Sequence, residues 1–145
     1  MSCKVWIVSA SDTYLFTTNA ACMTALGMES QTIEDAQISA SSQLDGNHSA
    51  IQGRLHLTRN GQKQGGWTAL TDDRNQWLQV DLNTFARVTV IATQGRNGFK
   101  EWVTKYKLQY SDDGVTFTSY KESDSSSEKV CKNFTGKTSL ERPNL

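Results

Sequence analysis

Trp77-Leu78-Gln79-Val80-Asp81-Leu82 places Leu78, Val80 and Leu82 on one face of an extended segment, because side chains along a strand alternate between two faces. The neighbouring sequence continues in the same manner. Residues 87–93 (RVTVIAT) are rich in β-branched side chains and read as a buried strand. Tyr106, Leu108 and Tyr110 alternate with Lys105, Lys107 and Gln109, the pattern of a half-solvated strand. Ser111-Asp112-Asp113-Gly114 follows as a turn of the Asp-Gly kind, and Val115 and Phe117 resume the alternation, which predicts a hairpin. Between these runs lie polar, glycine-spaced loops at residues 43–53, 59–66 and 95–100, and residues 121–129 (KESDSSSEK) read as an exposed connection. No helix longer than about two turns is expected. Short strands separated by turns make an all-β sandwich or barrel.

The chain has 145 residues, the size of one domain. Its 15 basic and 15 acidic residues cancel, which excludes a generic nucleic-acid binder driven by phosphate neutralisation. No apolar stretch approaches the roughly 18 residues needed to cross a membrane as a helix. Residues 1–21 show no clear period. Lys4 precedes a short apolar run, Val5 to Val8, but Ser9, Ser11 and Asp12 end it before a signal-peptide core is reached. Three cysteines, Cys3, Cys22 and Cys131, contain no Cys-x-x-Cys pair, so zinc and thioredoxin-like chemistry lack support.

The motifs stand in a recognisable order. Ala25-Leu26-Gly27-Met28-Glu29-Ser30 is followed by Ile33 and Gln37-Ile38-Ser39-Ala40-Ser41-Ser42, then Gly53-Arg54-Leu55, Gly66-Trp67 and the Trp77–Leu82 strand. Val88-Thr89, Ala92-Thr93-Gln94-Gly95-Arg96, Trp102-Val103-Thr104-Lys105-Tyr106 and Tyr110-Ser111-Asp112-Asp113-Gly114 complete it. In this order and spacing the chain resembles a discoidin domain, also called the coagulation factor V/VIII type C domain, over residues 22–130. The resemblance implies a jelly-roll β-sandwich of the galactose-binding-domain-like type. It divides the chain into an N-terminal segment, 1–21, and a discoidin domain, 22–145, expected to be without its closing strands. An edge left open in this way would expose unpaired backbone. In the family a cysteine near the start pairs with one near the end; Cys22 holds the first position, and Cys131 as its partner or a free thiol are the alternatives.

In such domains the body is scaffold and the loops at one end hold the ligand. The resemblance puts these loops at residues 44–52, 59–65 and 95–100. It also implies an extracellular or cell-surface location and a binding function rather than catalysis. His48, His56, Asp45 and several serines contain the types of a Ser-His-Asp set, but nothing in the sequence places them together. Asp112-Asp113 belongs to the hairpin turn, and EF-hand spacing is absent. No cofactor is expected, a structural calcium without assigned ligands being the one reservation. The sequons Asn47-His48-Ser49 and Asn133-Phe134-Thr135 are about as many as 8 Asn and 31 Ser/Thr yield by chance. Trp67, Trp77 and Trp102 fall at the family's scaffold positions next to strands, where core or inter-sheet packing is their expected role.

Membrane insertion needs adjacent large apolar side chains, each gaining roughly 1.5–3 kcal/mol on burial. Only Leu44 and Ile51 qualify in the first loop, none in the second, and Phe99 in the third. Asp45, Asn47, His48, Lys63, Arg96, Asn97 and Phe99 are therefore the candidate ligand-binding residues, suited to a cell-surface glycan or an extracellular-matrix protein. An anionic phospholipid (phosphatidylserine) surface is the second reading, and a structural fragment without ligand the third.

Overall fold

The computed structural model describes residues 2–8, 25–86, 88, 91–121, 130–132 and 139–141. The expected all-β class is found: helix is confined, among the described residues, to three short 3-10 turns at Asp35–Gln37, Gly46–His48 and Ala50–Gly53. The strands are β1 (Ser2–Val8), β2 (Ile38–Ala40), β3 (Trp77–Asp81), β4 (Ile91–Thr93), β5 (Lys105–Ser111), β6 (Thr118–Ser119), β7 (Val130–Lys132) and β8 (Ser139–Glu141). A six-stranded sheet runs β2-β3-β1-β5-β6, with β7 also on β5, while β4 and β8 form a second, antiparallel pair.

The centre of the large sheet comes from the segment whose period could not be read. β1 pairs parallel with β3 from Lys4↔Trp77 to Val8↔Asp81, and parallel with β5 from Ser2↔Lys105 to Val8↔Ser111. A strand flanked in parallel on both edges carries a continuous apolar run instead of an alternation, and Val5-Trp6-Ile7-Val8 is such a run. The outer strands β2, β6 and β7 are two or three residues long, and short edges offer little template for pairing with another chain.

β3 behaves as its pattern predicts. Val80 is buried with Ile33, Ile38 and Ala50, and Leu78 and Leu82 pack against that cluster with Met28, Ala40 and Ile51. Tyr106, on β5, anchors a second cluster with Trp67 and Val103. Buried polar residues tie the body together. Arg54 donates to the Asp35 carboxylate at 2.6 and 3.2 Å and to the carbonyls of Met28 (3.2 Å) and Ile33 (2.8 Å). Gln76 accepts from the Ser41 and Ser42 hydroxyls and donates to Thr71 and Asp73.

Four expectations need correction. Tyr110 does not continue the buried face of β5: it is exposed and Ser111 is buried in its place. The Ser111 hydroxyl is needed inside the turn, donating to the Asp113 carboxylate and accepting from the amides of Asp113 and Gly114. The hairpin exists, since β6 pairs antiparallel with β5, but Val115 is 82% exposed and pairing resumes only at Thr118. The Asp113 carboxylate explains the wide loop, because it captures the amides of Val115 and Thr116. Within residues 87–93, Ile91–Thr93 form a half-buried strand, while Arg87, Thr89 and Val90 lie outside the described residues. Trp102 is exposed instead of packed. Cys22, the sequon at Asn133 and residues 122–129 also lie outside the described residues.

Candidate functional site

The first loop is built on a cap. Asp45, in extended conformation, accepts from the backbone amides of Asn47 (2.8 Å) and His48 (3.0 Å) at the start of the Gly46–His48 turn. Such a carboxylate satisfies amides that a helical turn leaves unpaired. The same oxygen lies 2.8 Å from His48 Nδ1. A carboxylate only accepts, so Nδ1 carries the proton. The His48 hydrogen bond, and then the Asn47 and His48 amides, hold the Asp45 carboxyl below its ordinary range. The turn is thereby closed on itself, and the His48 side chain is only 12% exposed.

Backbone bonds then join the first loop to the second. Gln64 N donates to the Asn47 carbonyl at 3.1 Å, Thr68 N to that of His48 at 3.2 Å, and Gly65 N to Gln52 Oε1 at 3.3 Å. The second loop folds back at Asn60–Lys63, whose amides and carbonyls bond reciprocally at 3.1 Å.

Arg96 joins the third loop to the second. Its Nη2 donates to Gln64 Oε1 at 2.5 Å, its Nε to the Gln64 carbonyl at 3.2 Å and its Nη1 to Glu101 Oε2 at 2.6 Å. The guanidinium also stacks 3.8 Å from the centre of the Phe99 ring, and Arg59 of the second loop lies 5.9 Å from the same ring. Two loops thus place a cation on one aromatic side chain. Gly66 leaves room for this arrangement, since a Cβ there would stand 3.1 Å from Arg96 Cγ.

The three loops that carry the seven sequence-predicted residues are therefore joined to one another, but the residues are unlike in situation. Asp45, His48 and Arg96 spend their polar groups within and between the loops. Lys63, Asn97 and Phe99 are exposed, and Asn47 is half-buried. Sequence reasoning missed Gln64, the hub of the inter-loop bonds, and Arg59 and Glu101. Of these only Arg59 had a readable signal: the triplet Arg-Asn-Gly stands in both loops, at 59–61 and 96–98.

Across residues 44–52, 59–65 and 95–101, Arg59, Lys63, Arg96 and Lys100 stand with two carboxylates, Asp45 and the Glu101 that pairs with Arg96, a net +2 in a chain of zero net charge. This end carries two exposed large apolar side chains, Phe99 at 41% and Leu44 at 47%. His48 and Asp45 touch, yet no serine hydroxyl bonds the ring among the described residues, so only a capping dyad is assembled. Among the described residues no three or more His, Cys, Asp or Glu side chains come together as a metal would require, and no helix is long and apolar enough to cross a membrane.

Comparison with known proteins agrees with this architecture. The family model of the F5/8 type C domain matches residues 37–143. Lactadherin of Mus musculus is 44% identical over 110 residues, covering 72% of this chain and 24% of that protein. Lactadherin of Rattus norvegicus is 43% identical over 106 residues (70% and 25%), and that of Bos taurus 40% over 114 residues (75% and 27%). The chain thus spans about a quarter of the length of these relatives.

Proposed function

We propose that this chain, which belongs to the F5/8 type C domain family, is a non-catalytic extracellular binding module whose ligand is an anionic phospholipid surface met by the three joined loops. The observation that carries the reading is the division of labour at the loop end. The groups suited to hydroxyl recognition, Asp45, His48 and Arg96, are consumed by one another and by Gln64 and Glu101. Exposed cations, Arg59, Lys63 and Lys100, and the exposed apolar Phe99 and Leu44 are left to face a ligand. Cations near a negatively charged leaflet contribute about 1 kcal/mol each, and covering the exposed part of Phe99, 41% of it, adds about 1 kcal/mol, a fraction of the gain of a fully buried side chain. Insertion is shallow and attraction largely electrostatic, because only one aromatic stands among the cations.

A glycan or matrix ligand, with the exposed Asn97 and half-buried Asn47 as hydrogen-bonding groups, is the competing reading; the amides of both side chains are unbonded among the described residues. Co-sedimentation with vesicles containing or lacking phosphatidylserine separates the two. Retention on phosphatidylserine vesicles that weakens as salt is raised is expected, since the Debye length shrinks to about 3 Å at 1 M. Absence of vesicle binding together with capture on a glycan or collagen array overturns the lipid reading.

A further inference from the structure

The loop end carries a chemistry that neither charge nor apolarity explains. Three of its loops turn through an Asx-Gly pair: Asp45-Gly46, Asn60-Gly61 and Asn97-Gly98. A fourth pair, Asp113-Gly114, lies in the β5–β6 hairpin. An asparagine followed by glycine is the sequence most prone to intramolecular attack by the backbone. Glycine has no Cβ to shield its amide nitrogen and permits the dihedrals that the attack needs.

The structure separates these four pairs. Both aspartates are held. Asp45 accepts from two backbone amides and the His48 ring, and Asp113 from the amides of Val115 and Thr116 and the Ser111 hydroxyl. A carboxylate so held is ionised and oriented, and is a poor electrophile. Both asparagines are unheld. Asn60 and Asn97 are exposed, and neither side-chain amide has a hydrogen bond among the described residues. The amide N–H groups of Gly61 and Gly98 are likewise unbonded there. Both glycines have positive φ, +59° and +77°, and nothing lies within 4 Å of where a Cβ would stand.

We propose that Asn97 and, more slowly, Asn60 are sites of spontaneous deamidation, and that the conversion discharges the cationic loop end. The order follows from the backbone. The Asn60 N–H and C=O are both bonded to Lys63 at 3.1 Å, whereas those of Asn97 are unbonded. The Gly98 nitrogen, giving its proton to water or hydroxide, bonds to the Asn97 side-chain carbonyl carbon. The bond from that carbon to the amide nitrogen breaks as the departing NH2 takes a proton back from water, and ammonia leaves, closing a five-membered imide. Water then opens either imide carbonyl, giving aspartate or isoaspartate. One ammonia is released and one water consumed per site, with no change of oxidation state. Each event adds one negative charge, so two reduce the joined loops from net +2 to zero. The loss of affinity rests on the anionic-surface reading above; the chemistry does not.

The test ages the full chain at physiological temperature and mildly alkaline pH. Peptide mass mapping and enzymatic isoaspartate methylation then follow every asparagine. Conversion at Asn97 first and Asn60 second, ahead of Asn47, Asn75 and Asn83, is expected. Conversion of Asn97 and Asn60 no faster than of those three overturns the proposal. Binding of fresh, aged and Asn60→Asp/Asn97→Asp protein to phosphatidylserine vesicles gives the second readout, with affinity falling roughly five-fold per charge. Asn60→Gln/Asn97→Gln should keep its affinity on ageing. Fresh protein that binds while the aged and Asp forms bind equally well overturns the discharge. Fresh protein that does not bind at all refutes the lipid reading, and mapping still decides the chemistry.

Discussion

Replacing Arg96 tests whether the loop end is one assembled unit. The guanidinium makes two charge-assisted bonds to Gln64, one ion pair to Glu101 and a stack on Phe99 at 3.8 Å. Charge-assisted hydrogen bonds contribute about 1.5–3 kcal/mol, and the two to Gln64 share one partner and are not additive. The Glu101 carboxylate is 57% exposed, which limits that ion pair to about 0–1 kcal/mol. The stack adds about 0.5–1 kcal/mol. Arg96→Ala should therefore cost about 3 kcal/mol, within a margin of roughly 5–15 kcal/mol for a domain. That lowers the melting temperature by roughly 10 °C without unfolding the chain at ambient temperature. Arg96→Lys is the decisive variant, because lysine keeps the charge but lacks the planar fork and the stacking face. If Arg96 positions the loops, both variants lose stability and vesicle affinity together, as read by thermal unfolding and co-sedimentation. An Arg96→Lys protein with wild-type melting temperature and affinity would refute the reasoning and make Arg96 a simple point charge.

Other consequences follow from the body. Arg54→Met should destabilise by about 2–4 kcal/mol, because it strands the carbonyls of Ile33 and Met28, while the Asp35 carboxylate, 63% exposed, returns to water at little cost; denaturant titration measures this. Val5→Pro should lower the unfolding midpoint by about 3 kcal/mol or more, since proline within β1 removes ladder bonding at the centre of the sheet; an unchanged midpoint would show that β1 is not part of the stable core. Acid stability has a defined sign. The carboxyls of Asp45, Asp73 and Asp113 are held below their ordinary value of 3.8, that of Asp113 chiefly by the Thr116 and Val115 amides. Groups depressed on folding contribute stability that is fully present above the unfolded value and lost as pH falls through the folded one. Melting temperature should stay level above the carboxylate range and fall once pH drops below 3.8, and Asp113→Asn should make that fall shallower.

What could be read from the sequence depended on how local its cause was. β3 was legible because Leu78, Val80 and Leu82 meet one core, so burial wrote a period into the chain. β1 was not, because its neighbours on both sides are distant in sequence, β3 and β5, and parallel pairing leaves only a short apolar run. The end of β5 misled for the opposite reason. There a local turn, centred on Ser111 and Asp113, outweighed the alternation that Tyr110 continued. In the loops the residue types were legible but their commitments were not. Asp45, His48 and Arg96 carry the polar groups expected of ligand contacts, and only the folded geometry reveals that the distant Gln64 and the nearby Glu101 engage Arg96. Gln64 itself bears no sequence mark of its position between three loops.

Amide hydrogen exchange of the chain with and without phosphatidylserine vesicles tests most directly whether the three joined loops are the binding face. Protection should rise in residues 44–52, 59–65 and 95–100 together and nowhere else to a comparable degree. Protection at the exposed Leu26, Phe85 or Val115 with the three loops unchanged would contradict it.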